Sequence, residues 1–158
     1  MGFNIGTIGC ERTEITDGQG NTAAVLHRPV SLGWRAAWDK LAARLVRAAP
    51  DAPEPPPDGS EDAEQAGAYV AAAQAYLDDV AAYQREIQPD RVRFFRRLLD
   101  DLVEDLDGFT INDAPASVSD VLDALESAGG QHDPGQPLIA LGEAVMLSSR
   151  IEPEAGKD

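Results

Sequence analysis

Ile87-Gln88-Pro89-Asp90-Arg91-Val92-Arg93-Phe94-Phe95-Arg96-Arg97-Leu98-Leu99-Asp100-Asp101-Leu102-Val103-Glu104-Asp105-Leu106-Asp107 is the stretch on which the fold turns. Val92, Phe95, Leu99, Leu102 and Leu106 recur at helical spacing, and proline suits the first turn of a helix, so the pattern predicts a helix from Pro89 to about Asp107. Upstream, Tyr69, Tyr76, Val80, Tyr83 and Ile87 follow one another at 7, 4, 3 and 4 residues, an apolar seam along a helix over roughly 61–88. The two helices are expected to form the principal antiparallel pair; the other reading of Pro89 is a kink in one long helix.

Working towards the N-terminus, Pro50, Pro53, Pro55, Pro56 and Pro57 remove backbone donors and forbid helix, which predicts an extended, semi-rigid linker over 49–60. Before it, Trp34, Trp38, Leu41 and Leu45 make one stripe of a helix that Ser31 would cap and that runs to about Ala48. The first thirty residues read as strand: Phe3–Ile8, Glu11–Thr16 and Thr22–Val30, punctuated by Gly9 and by Asp17-Gly18-Gln19-Gly20, a turn signal. They predict a two- or three-stranded antiparallel sheet, too small to stand without helices against one face. Towards the C-terminus, Ser117 with Asp120 resembles a capping box and opens a short helix carrying Val118, Val121, Leu122 and Leu125, stopped by Gly129-Gly130. Pro137 begins the last helix, with Leu138, Leu141, Val145 and Met146 inward.

The expected fold class is therefore α+β, mainly α-helical with about five helices and a small N-terminal antiparallel sheet. Residues 1–48 hold the sheet and first helix, 49–60 the linker, 61–152 the helical region packing with the first part as one domain, and 153–158 a frayed tail. At 158 residues and 43% hydrophobic the chain can bury a core, one rich in small side chains given its low aromatic content.

Charge narrows the partners. With 28 acidic against 13 basic residues the formal net charge is −15, which opposes binding to nucleic-acid phosphates and favours basic partners. Residues 51–79 alone carry eight acids and no base. Arg91, Arg93, Arg96 and Arg97 precede Asp100, Asp101, Glu104, Asp105 and Asp107, the reverse of what a helix dipole favours if a helix begins at Pro89. That order suits either a solvated face or an interaction.

Catalytic chemistry finds little material. Cys10 is the single cysteine and His27 and His132 are the two histidines. A Cys10–His27 pair across the hairpin could in principle make a thiolate, but the expected role of Cys10 is an inert, half-buried thiol. Asp105-Leu106-Asp107-Gly108 echoes part of a calcium loop; with Gly108 at loop position 6, Val103 and Ala114 fall where acidic ligands are required. Gly18-Gln19-Gly20 lacks the third glycine of a dinucleotide fingerprint, and the pairs Asp78-Asp79 and Asp100-Asp101 diverge by about 100° on a helix. The sequence predicts no enzyme, no metal and no cofactor, and a soluble chain of a reducing compartment without membrane span or signal segment. Aromatics are the candidates for partner contact: Trp34, Trp38, Tyr69, Tyr76 and Tyr83, residue types that serve core packing equally well.

From Arg93 onward, in Phe94-Phe95-Arg96-Arg97-Leu98-Leu99-Asp100-Asp101-Leu102-Val103-Glu104-Asp105-Leu106-Asp107-Gly108-Phe109, Asn112-Asp113-Ala114-Pro115 and Ser117-Val118-Ser119-Asp120-Val121-Leu122-Asp123-Ala124-Leu125, the chain resembles the tail assembly chaperones and small tail-region proteins of long-tailed bacteriophages. Val25-Leu26-His27-Arg28-Pro29-Val30-Ser31-Leu32 resembles the strand-to-helix entry of that family. The resemblance covers about half the chain; no Trp precedes Gly108, and the turn reads Asn112-Asp113 rather than Asp-Gly. It implies a non-enzymatic protein that binds the tape-measure protein during tail assembly in the bacterial host cytoplasm. Neighbouring readings are a structural protein kept in the virion and an acidic inhibitor that mimics DNA.

Overall fold

The computed structural model describes residues 10–57, 62–131 and 133–148 of the chain, and the architecture is α+β. The start is set by Asp17, whose carboxylate accepts hydrogen bonds from Gln19 N (2.8 Å), Asn21 N (2.9 Å) and Asn21 Nδ2 (2.8 Å). These bonds, the Asn21 side chain first, hold its pKa below the ordinary carboxylate value. The turn they stabilise, with Gly20 at φ +87°, returns β1 (Glu11–Thr16) onto β2 (Thr22–His27) in antiparallel register, Thr16 opposite Thr22 and Glu11 opposite His27. Strand β1 has the sequence-predicted bounds; β2 stops at His27 rather than Val30. The expected strand at Phe3–Ile8 lies outside the described residues.

Ser31 caps α1 (Leu32–Ala48) by accepting Trp34 N at 3.2 Å, as the sequence predicts. The next helix corrects the sequence reading. Instead of an antiparallel pair broken at Pro89, a single helix α2 runs from Ala63 to Leu102, 40 residues, with Pro89 inside it. At a rise of about 1.5 Å per residue it is about 60 Å long. Pro89 is exposed, so the ring lies on the solvent side and the one hydrogen bond it cannot donate, to the Arg85 carbonyl, is lost there. This merger leaves four helices among the described residues where about five were expected.

The second correction follows at the C-terminal end of α2. Val103–Asp107, expected as the helix's last turns, form β3 and pair antiparallel with β2, Val25 opposite Leu106, with an irregularity between Leu26 and His27. The periodicity of Leu99, Leu102 and Leu106 fits a helix, but the unpaired edge of β2 takes the segment. The Arg28 amide donates to the Leu102 carbonyl at 2.8 Å, and its guanidinium meets Asp101 Oδ1 (3.0 Å) and Glu104 Oε1 (3.2 Å). The clash with the helix dipole is thereby reduced: the arginines sit mid-helix and Glu104, Asp105 and Asp107 are strand residues, while Asp100 and Asp101 stay in the last turn of α2, each paired with an arginine.

Beyond Gly108, at φ +82°, β4 (Thr110–Ile111) and β5 (Ala114–Pro115) form a two-residue hairpin. Asn112 (φ 51°) and Asp113 (φ 62°) both take positive φ, the mirror-image turn that Asx residues tolerate. Ser117 then caps α3 (Val118–Ser127) through Asp120 N at 3.2 Å, and α4 (Gln136–Ser148) follows.

The core lies where the C-terminal half of α2 meets β2, α3 and α4: Phe95, Leu98 and Leu99 pack with Val25, Leu122, Leu138, Ile139 and Val145, all fully buried. One salt-linked cluster fastens it. Arg96, its side chain 17% exposed, reaches Asp100 (3.1 Å) on its own helix and Asp123 (2.6 Å) and Glu126 (2.8 Å) on α3. Burial works to lower the pKa of this guanidinium, but the hydrogen bonds and charges of Asp123 and Asp100 outweigh it and hold the group above its ordinary value. Arg91 similarly meets Glu143 of α4 at 3.1 Å, and buried Gln88 donates to the Pro134 carbonyl at 3.1 Å.

Candidate functional site

All five candidate aromatics from the sequence fall on α1 and on α2 before Gln88, in two separate groups. Trp34 and Trp38, one turn apart on α1, are half-buried against α2. Trp34 meets Phe94 edge-on at 5.7 Å, and Trp38 lies 5.4 Å from Phe94 and 5.2 Å from Phe95. Trp34 Nε1 donates to Asp101 Oδ2 at 2.8 Å. The tryptophans thus dock α1 on α2 within the chain itself.

That bond, followed by Arg28, holds the Asp101 carboxyl below its ordinary value of 3.8, against the opposing effect of desolvation. A depressed folded-state pKa adds stability that is present above the ordinary value and lost as pH falls through the folded value. Asp101→Asn should therefore lower the urea midpoint of tryptophan fluorescence at about pH 7, and its deficit against the parent should narrow by about pH 3. Equal midpoints at neutral pH would disprove the role of this carboxylate.

Tyr83, Tyr76 and Tyr69 are half-buried along one side of α2. The Tyr83 hydroxyl donates to the Leu45 carbonyl near the end of α1, and Arg44 pairs with Asp90 at 2.9 Å. There α1 ends and the proline segment continues along α2. Pro50, Pro53 and Pro56 are partly buried while Asp51, Ala52, Glu54, Pro55 and Pro57 are exposed, the three-residue period of a polyproline II helix. Pro53 and Pro56 share a crevice with Tyr69 and Ala72 of α2. The segment's described residues are neither helix nor strand, and Pro53 and Pro56 lie against α2.

No residue of α2 before Gln88 is buried. This arm holds its helical form on composition: nine alanines between Ala63 and Tyr83, and Asp62 capping through Glu64 N at 2.9 Å. On another face from the tyrosines the arm carries a feature that residue spacing alone does not single out. Val70 is 66% and Leu77 58% exposed, and Gly67, Val70, Gln74, Leu77 and Ala81 recur at spacings of 3 and 4, a strip without a charged side chain. The signal was present as the seven-residue spacing of Val70 and Leu77, parallel to that of the tyrosines.

Around the core many carboxylates are paired, although Asp17, Asp39, Asp105, Asp113, Asp120 and Asp133 form no salt bridge among the described residues. Asp90, Asp100, Asp101, Glu104, Asp107, Asp123, Glu126 and Glu143 each face an arginine. Among the described residues, Asp51, Glu54, Asp62, Glu64, Asp78 and Asp79 form no salt bridge, and residues 51–79 contain no base with which to form one.

The residues weighed for catalysis are placed differently. His27 is fully buried; its Nε2 bonds Thr13 Oγ1 at 2.7 Å and its Nδ1 the Arg28 carbonyl at 2.8 Å. A carbonyl can only accept, so Nδ1 carries a proton, and in the neutral ring Nε2 accepts from Thr13. Thr13 also bonds the Ser148 hydroxyl, tying the sheet to the end of α4. Cys10 is partly buried, and His132 lies outside the described residues. Among the described residues no three His, Cys, Asp or Glu side chains are grouped to hold a metal, and no helix is long and apolar enough to cross a membrane. Compared with protein-family models, curated proteins and solved structures, the chain matches none.

Proposed function

We propose that this chain is a non-enzymatic protein of bacteriophage tail morphogenesis, which binds the tape-measure protein as an assembly chaperone in the cytoplasm of the bacterial host. Two things support the reading: the resemblance over residues 25–32 and 93–125, and an arm that carries uncovered aliphatic side chains on an acid-rich segment. The observation that carries it is the exposure of Val70 and Leu77 on a helix whose first half lies outside the core. Apolar side chains held in water beside unpaired carboxylates suit temporary cover for another apolar protein, the carboxylates keeping the complex in solution.

Coexpression with a tape-measure protein tests this. The two should co-purify and stay together when salt is raised to about 0.5 M, where the Debye length is only a few ångströms. A chain that never retains the tape-measure protein would sink the proposal, and capture of a host protein that is released by the same salt would favour the acidic-inhibitor reading instead.

A further inference from the structure

We infer that the strip Gly67, Val70, Gln74, Leu77 and Ala81 is the docking face for one amphipathic helix with basic flanks, contributed by a different protein. The inference deepens the function proposed above by naming the chemistry of what the arm holds. Its test needs no tail protein, so the two can fail separately.

The geometry favours a helix as occupant. Positions 67, 70, 74, 77 and 81 keep one side of α2 in line over 14 residues, a run of about 21 Å, with aliphatic side chains at 70 and 77. Gly67 and Ala81, above and below them, have little or no side chain and let a second helix axis approach closely. On one side the strip is bounded by Ala66, Ala73, Val80 and Gln84, which separate it from the tyrosines, and on the other by Asp78 and Arg85.

Charge selects among helices. The arm and its proline segment carry eight carboxylates and no base over residues 51–79, and those described make no internal ion pair. A second copy would set one such arm against another, and the whole chain repels its like at −15. Nucleic acid is repelled for the same reason. A helix with leucines on one face and lysines or arginines beside them meets both the apolar strip and the uncompensated field.

A fluorescein-labelled Leu/Lys heptad peptide of about 18 residues, with a Leu/Glu peptide as control, tests this by anisotropy against the full chain at about 150 mM salt. The Leu/Lys peptide should bind and the Leu/Glu peptide should not. The deciding variant is Val70→Asp with Leu77→Asp, which adds two negative charges while removing the apolar contact. Docking on the strip predicts affinity at least about tenfold weaker, whereas attraction by charge alone predicts tighter binding. Val70→Gln with Leu77→Gln, neutral and helix-compatible, should also weaken binding, and circular dichroism should show both variants folded. Unchanged or tighter binding by the aspartate variant overturns the inference. So does a parent protein that sediments as a dimer and becomes monomeric on Leu77→Asp, because the strip would then belong to a second copy.

Discussion

Gly142→Ala should destabilise the protein by about 2 kcal/mol, although alanine is the better helix former by about 1 kcal/mol. Gly142 sits on α4 directly over the Phe95 ring: a Cβ there would overlap Phe95 Cδ1 and lie 2.8 Å from Cγ and 3.0 Å from Cβ. The ring has nowhere to go. Phe95 is fully buried, 5.2 Å from both Trp38 and Phe94. Removing the ring is costly in its own right; Phe95→Ala should lose about 3–5 kcal/mol to a cavity at the centre of the core. The two sites are coupled, and the coupling is the sharper test. In a Phe95→Ala background, where Cγ and Cδ1 are gone and only the Cβ at 3.0 Å remains, most of the cost of Gly142→Ala should disappear. Urea denaturation followed by circular dichroism measures all four corners of the cycle. An alanine equally harmful in both backgrounds would mean that the helix contact at Phe95 is not what demands glycine.

Arg96→Met should lower stability by about 2 kcal/mol at low salt. The arginine is the common partner of Asp100, Asp123 and Glu126, and without it three carboxylates face one another where α2 meets α3. Their side chains are about half exposed, so the loss stays below the 3–5 kcal/mol typical of breaking a fully buried pair. Repulsion between partly hydrated charges is screened, and the deficit should therefore shrink as sodium chloride rises from about 0.05 to 0.5 M. Arg96→Lys should recover only part of the loss, since one ammonium cannot serve the geometry that the planar guanidinium spans. A deficit independent of salt would point to lost packing by the arginine stem rather than to its charge.

How far residues alone disclose this fold depends on whether the deciding interaction is local. Ser31 and Ser117 cap their helices as expected, and β1 runs from Glu11 to Thr16 as expected, because a hydroxyl at a helix start and an Asp-Gly turn act within a few residues. Where tertiary contacts compete, the local signal misleads. Pro89 reads as a helix start, yet the ladder continues past it because the ring can face water. Leu106 fits a helical stripe, but the edge of β2 claims it. Gly142 carries no periodic signal at all; only the ring of Phe95 across the helix interface gives it meaning.

For the candidate site the same distinction holds. Spacing placed Tyr69, Tyr76 and Tyr83 on one face, which the structure shows, but spacing does not reveal what lies against a face. The proline segment and the end of α1 lie along that tyrosine side, while Val70 and Leu77, about 100° further round the helix, are exposed. The tryptophans, equal candidates on residue type, are occupied by Phe94 and Phe95.

Pro89 also determines how the molecule bears a load. The long helix is tied down at Gln88, which grips the loop before α4, and the backbone rung missing at the Arg85 carbonyl lies within a turn of that anchor. A lever fixed at its root and notched just above it bends at the notch. Between Arg85 and Pro89 the helix is the easiest place to bend, and the bond from Tyr83 to the Leu45 carbonyl ties the segment just beyond it to α1.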